Sequence, residues 1–151
     1  MPTPSPFAAQ LDYLVALGRR HLAIGRAELT RDGQASGTLT YPLVLVEADV
    51  QGSETTQALD TLTFAIQVLD KPDRLGAEPL PDLLGRTKAW ADELTQQLRD
   101  ELPGRLASVN YLALPGEAGA DLATGWRVEL SLKVPKDLDR SLTASRFAPL
   151  V

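Results

Sequence analysis

Cysteine is absent from this sequence, which excludes disulfides, thiolate nucleophiles and every zinc site that depends on sulfur ligands. There is one histidine, His21, so a histidine-rich metal site is excluded as well. Long apolar runs are missing. The longest, such as Leu43 to Val46, falls far short of the ~20 residues needed to span a bilayer. The opening Met1-Pro-Thr-Pro-Ser-Pro has no basic stretch followed by an apolar one, so no signal peptide is expected. Positive charge is also scarce: 15 basic residues stand against 20 acidic ones, for a net charge of −5. The basic residues are scattered, which disfavours groove-reading nucleic-acid function. A wall that repels phosphate is nevertheless a suitable lining for a channel through which DNA slides.

The chain has 151 residues, 44% of them hydrophobic. That is enough for one domain that buries roughly two-thirds of the surface its unfolded chain exposes. Ser5 reads as an N-cap with Pro6 at the first helical position. Phe7, Leu11, Leu14, Val15, Gly18 and Leu22 recur at helical spacing, predicting a helix over 6–24 with Gly25 as its stop. The polar stretch 26–40 reads as a loop, or a frayed hairpin tip with a short strand on one side. Tyr41 to Glu47 is a β run whose Pro42 marks a strand start or sheet edge. Gln51 to Gln57 reads as the turn into the next strand, where Leu62, Phe64, Ile66 and Val68 alternate with polar or small residues.

A second helix is predicted over 80–102, its stripe running from Leu80 through Trp90 and Leu94 to Leu102, with Pro103-Gly104 as the stop. Val109, Tyr111 and Ala113 suggest a third strand. Trp126, Val128, Leu130, Leu132 and Val134 form a fourth, ended by Pro135. The expected fold is α+β in the order α-β-β-α-β-β: a mainly antiparallel four-stranded sheet, two helices packed on one face, and an extended C-terminal arm. Residues 1–135 form the single domain and 136–151 the arm.

The chemistry-bearing residues are few. His21 follows Arg19-Arg20 at a helix end, where the helix dipole favours a cation, and reads as a surface residue. An enzyme site would have to be built from His21, Asp12 and Tyr13, without a recognisable nucleophile or orienting group. Asp92-Glu93 and Asp100-Glu101 diverge around a helix and make no shared proton site; like Asp137 and Asp139, they read as solvated face. Glu47 and Asp49 share a strand face but lack the further oxygen ligands a hard cation requires. The glycine-containing segments at 33–37 and 116–120 match neither phosphate-binding pattern and read as hairpin turns. Trp90 and Trp126 fall on predicted buried stripes and read as core.

What the sequence offers in excess is strand edge. An open sheet leaves backbone groups that require covering or pairing, and the arm carries Leu138, Leu142, Phe147, Leu150 and Val151, too sparse to build a core alone. Such a terminus either docks on a partner or folds back.

Three segments carry a resemblance: Tyr41-Pro-Leu-Val-Leu-Val, Leu62-Thr-Phe-Ala-Ile-Gln-Val-Leu-Asp-Lys-Pro, and Thr124-Gly-Trp-Arg-Val-Glu-Leu-Ser-Leu-Lys-Val-Pro. Across about 41–135 the chain resembles small proteins of phage and prophage tail modules, and its element order is similar to the tail-terminator and tail-completion fold. It departs from that pattern in its Ala- and Pro-rich N-terminus and at Arg140 to Arg146. The resemblance implies a virion structural protein assembled in the host cytoplasm. It also implies a ring, commonly hexameric, that ends the tail tube and joins it to the neck or head. DNA would pass through its lumen, with no catalysis, no cofactor and no membrane. On this reading the sheet edges and the loops at 26–40 and 51–57 make subunit contacts, and the arm reaches a neighbour or the tube protein. The contact residues expected are Asp32, Gln34, Glu54, Leu138, Leu142 and Phe147. The alternative is a small non-catalytic adaptor that binds a protein partner through the same open edges.

Overall fold

Ser5 does cap the first helix. In the computed structural model, which describes residues 5–30, 40–72, 79–114, 123–136, 138 and 140–150, its Oγ accepts from Ala8 N at 3.1 Å. Helix α1 spans Pro6–Arg20, shorter than the spacing predicts. His21 turns extended and donates its backbone N–H to Gly18 O, so Leu22 lies outside the helix and is exposed. Gly25 is not a helix stop; its N–H donates to Pro42 O at 2.8 Å and begins a strand.

That strand, β1 (Arg26–Thr30), is the short strand expected on one side of 26–40, but it pairs parallel with β2, which an arm of a hairpin with β2 cannot do. Residues 31–39 lie outside the described residues. Strand β2 runs over Leu43–Glu54 and β3 over Leu59–Asp70. Most of the expected turn at 51–57 is therefore strand, because Gln51 to Glu54 pair with Asp60 to Thr63 across the hairpin. Helix α2 spans Leu80–Glu101. Its backbone reverses through Gly104 at φ 75°, a conformation glycine adopts without steric cost. Strands β4 (Leu106–Leu114) and β5 (Thr124–Pro135) follow. The arm is not wholly extended, since Arg140–Ser145 form a short helix, α3.

The architecture is α+β, with a five-stranded mixed sheet in the order β1-β2-β3-β5-β4 and three helices, where four strands and two helices were expected. The extra strand alternates polar and apolar residues but is only five residues long, too short a run to stand apart from the polar stretch that follows it. All sheet pairings except β1–β2 are antiparallel.

Alternation decides the core. Val44, Val46, Phe64, Ile66, Val68, Val128, Leu130 and Leu132 are buried, as are Leu11, Leu14 and Leu17 of α1 and Ala91, Leu94 and Leu98 of α2, in one continuous cluster. Each fully buried large side chain contributes about 1.5–3 kcal/mol through the apolar surface it removes from water. Trp90 and Trp126 pack against this cluster, and Trp126 Nε1 donates to Leu84 O at 2.9 Å, tying β5 to α2. On the opposite face Leu43, Leu45 and Ala65 are also buried, among polar neighbours. There Arg127 Nε donates to Glu47 Oε2 at 2.8 Å, and its guanidinium also bonds Glu129. Ala65 lies between those two glutamates in the register, and its small side chain leaves Arg127 room to reach across β3.

Two glycines give opposite expectations. A Cβ on Gly125 would stand 1.7 Å from Val68 O, so Gly125→Ala forces the β3–β5 backbones apart. We expect a loss of about 2 kcal/mol or more. A Cβ on Gly85, within α2, meets nothing within 4 Å, and Gly85→Ala is expected to stabilise by about 0.5–1 kcal/mol. Urea unfolding of both variants checks the pair; equal effects would contradict the packing described.

Candidate functional site

The β2–β3 hairpin closes through Thr55 and Thr56, whose backbone N–H groups both donate to Leu59 O at 3.0 Å. Thr56 Oγ1 accepts from Leu59 N at 3.0 Å. Because β5 pairs with β3 to its last residue, Pro135 opposite Leu59, the chain leaves the sheet beside this hairpin. Lys136 fixes the departure. Its N–H donates to Ala58 O at 2.9 Å, and its ammonium pairs with Glu54 and lies 3.8 Å from Asp60 Oδ1. The hydrogen bond to Glu54 holds the Lys136 ammonium above the usual lysine range. Gln57, Ala58, Lys136 and Leu138 line a hollow of about 280 Å³.

Beyond that root the arm turns its apolar side chains to solvent. Leu138, Leu142 and Phe147 are 55%, 50% and 74% exposed, and Leu150 is fully exposed. Helix α3 is closed by Ser145 Oγ donating to Leu142 O at 2.6 Å and by Arg146 N donating to Thr143 O. Of the expected contact residues, Glu54 pairs with Lys136 beside the hairpin tip and Leu138 lines the hollow there, while Leu142 and Phe147 are exposed on and just after α3. Asp32 and Gln34 lie outside the described residues.

Two stretches of sheet border carry no further strand among the described residues. There β4 pairs only with β5, and β1 covers β2 only from Leu43 to Glu47, with no described strand on the outer side of Ala48 to Glu54. Sequence reasoning missed Lys136, although its place one residue past the strand-ending Pro135 marks it as the first residue free to bond sideways. It also missed β4 as a border, where the clue was a strand without a single charge.

A hollow of about 470 Å³ lies between α1 and α2 and is lined by Leu17, Arg20, His21, Leu22, Glu93, Leu94 and Gln97. It tests the enzyme reading directly. His21 Nδ1 accepts from Ala23 N at 3.1 Å, so the ring proton sits on Nε2, 2.5 Å from Glu93 Oε2. Both ring nitrogens are thereby engaged within the chain, and neither is free to accept a substrate proton.

Tyr13 does not join His21. Its hydroxyl donates to Glu101 Oε1 at 2.6 Å, beside a bidentate pair from Arg20 to the same carboxylate. Burial, reinforced by the Glu101 carboxylate, pushes the Tyr13 hydroxyl up to about 12. Asp12 is exposed. The three residues of the enzyme reading therefore form no common site. Glu47, half of the weak cation pair considered above, is occupied by Arg127. Among the described residues no cluster of three or more metal-ligating side chains occurs, and no described helix is long and apolar enough to cross a membrane.

Comparison with known protein families and with curated proteins finds no match to this chain.

The carboxylate at the α1–α2 junction gives a pH prediction. Hydrogen bonds from Arg20, Tyr13 and Gln97 hold Glu101 well below the ordinary carboxylate value of 4.5. Its stabilising contribution is therefore complete above that value and is lost as pH falls below it. The difference in urea midpoint between the wild type and Glu101→Gln is expected to be largest at neutral pH and to shrink on acidification. A gap that stays constant down to strongly acid pH would show that the carboxylate does not clamp the two helices.

Proposed function

We propose that this chain is a structural subunit of a phage or phage-like tail. Copies of it form a ring, hexameric in the reading that the resemblance supports, which ends the tail tube and joins it to the neck or head. The observation that carries this reading is the combination of open sheet borders with a rooted arm bearing four exposed apolar side chains. Soluble chains rarely leave such surface without a partner. A ring joins unlike patches of identical subunits, and such heterologous contacts close by rotation.

The charge pattern supports the passage of DNA through such a ring. Arg127 is held between Glu47 and Glu129, Arg20 by Glu101 and Arg86 by Asp70. Guanidinium groups committed to carboxylates have little affinity left for phosphate, and the net charge of −5 repels it. The chemistry of the α1–α2 hollow favours no catalytic reading, because its histidine is consumed as a strut.

Mass photometry and negative-stain imaging of the purified chain with the tube protein test the reading. A closed ring of identical subunits is expected. A one-to-one complex with an unrelated protein would favour the adaptor reading, and a strict monomer at high concentration would count against both. Within the ring, Leu142→Ser and Phe147→Ser are each expected to weaken assembly about tenfold or more, the cost of losing one buried apolar anchor. The thermal midpoint of the isolated chain should stay unchanged, since both side chains are exposed in it.

A further inference from the structure

Strand β4 is nine residues long, Leu106–Leu114, and none of those residues is charged or proline. It lies at the border of the sheet. Natural proteins guard border strands by keeping them short, charging them, or inserting proline or a bulge. The single device here is a register shift between Leu106 and Ser108, which leaves Ser108 to Leu114 regular. The strand is also held rigid from its helix-facing side. The Tyr111 hydroxyl donates to Asp92 Oδ1 at 3.0 Å, Lys88 Nζ stands 4.0 Å from the centre of its ring, and Trp126 meets that ring edge-on at 6.4 Å. On the other face Ser108, Asn110 and Leu112 are exposed, Leu112 by 59%. This is a fixed, uncharged edge, ordered before any partner arrives, so pairing with it costs little further ordering.

The opposite border is unlike it. Arg26 and Glu28 of β1 pair with each other, and beyond β1 the open part of β2 passes a register shift between Glu47 and Gln51 and carries Asp49, together with Glu54, which is paired with Lys136. Two such β2 edges would bring their Asp49 carboxylates to one junction, which is unfavourable. The uncharged β4 meets the same stretch without repulsion. A β4–β4 contact, by contrast, would stop at two copies and leave the β2 border unused.

We propose that β4 of one copy pairs with the open stretch Ala48 to Glu54 of the next, so that successive sheets join head to tail into one continuous ring. The proposal rests on the ring reading above and specifies its joint.

The absence of cysteine makes the test clean, since engineered thiols have no native competitor. Asn110→Cys is combined in turn with Asp49→Cys, Gln51→Cys and Ser53→Cys, and each set is oxidised in the presence of the tube protein. At least one double variant is expected to give a ladder of disulfide-linked multimers ending at the ring size, while every single variant stays unlinked. A linked dimer from Asn110→Cys alone would overturn the proposal in favour of two-fold β4 pairing. Absence of linkage in all variants, with rings still visible by mass photometry, would overturn the joint and leave the ring reading standing. A strict monomer throughout would remove both. As a second measurement, Ser108→Glu with Leu112→Glu places negative charge on exposed positions of the edge, opposite the acidic β2 stretch. It is expected to abolish assembly while leaving circular dichroism and the thermal midpoint unchanged; assembly that survives would refute edge pairing.

Discussion

The pairing of β3 with β5 along the whole of Leu59–Asp70 is the constraint on which the rest of this molecule depends. Both strands are central, and a slip of one residue would turn Phe64, Ile66 and Val68 away from the helices together with Val128 and Leu130. The register is held by more than apolar alternation. At one end Gly125 lets the Val68 carbonyl approach closer than any side chain would permit. In the middle the Thr63 and Ser131 hydroxyls meet at 3.0 Å. At the other end Pro135 lies opposite Leu59, so the arm leaves the sheet beside the β2–β3 hairpin and Lys136 falls between Glu54 and Asp60. The position of the arm root is thus a consequence of sheet register.

The residues that most resemble catalytic machinery are used to join helices. His21 bonds α2 through Glu93 and its own following turn through Ala23, while Tyr13 and Arg20 converge on Glu101. These contacts fasten the ends of α1 and α2 and commit the titratable side chains that line the hollow, Arg20, His21 and Glu93, to partners within the chain. The same economy holds on the far face of the sheet, where Arg127 is balanced by two glutamates. Among the described residues Arg20, Arg86, Arg127 and Lys136 are each paired with carboxylates, within a chain whose net charge is −5. Under the tail-subunit proposal the backbone edges and exposed apolar side chains are the surfaces through which copies would recognise one another.

The two ends of the molecule divide these roles. The hairpin tip and arm form a directed projection, rooted by an ion pair whose partners are surface groups and contribute little stability in water. Its value is geometric, because a backbone hydrogen bond and an ammonium beside two carboxylates together fix where Lys136 leaves the sheet. The β4 border is rigid and neutral, held from beneath by Tyr111. A projecting anchor and a flat edge are unlike surfaces, the kind of pair that the proposed ring would join.

The amino-acid sequence by itself determined the two long helices, the alternating strands β3 and β5, and the apolar face on which they meet. In each of these the pattern repeats often enough for burial to dictate both the element and its orientation. It also determined that the chemistry is sparse, since cysteine is absent and histidine occurs once. It did not reveal the place of β1 in the sheet, because five alternating residues suggest at most a short strand and do not say that it pairs parallel with β2. Nor did it reveal that β2 continues to Glu54, since Gln51, Gly52 and Ser53 look like a turn until β3 supplies their backbone partners. The early end of α1 was likewise hidden, because His21 leaves the helix to reach Glu93, a residue far away in sequence. Only the tertiary structure decided which strands form the borders, where the arm is rooted and what engages His21. Each of these depends on pairings between distant segments, and a linear pattern records which face a residue prefers but not which neighbour it finds.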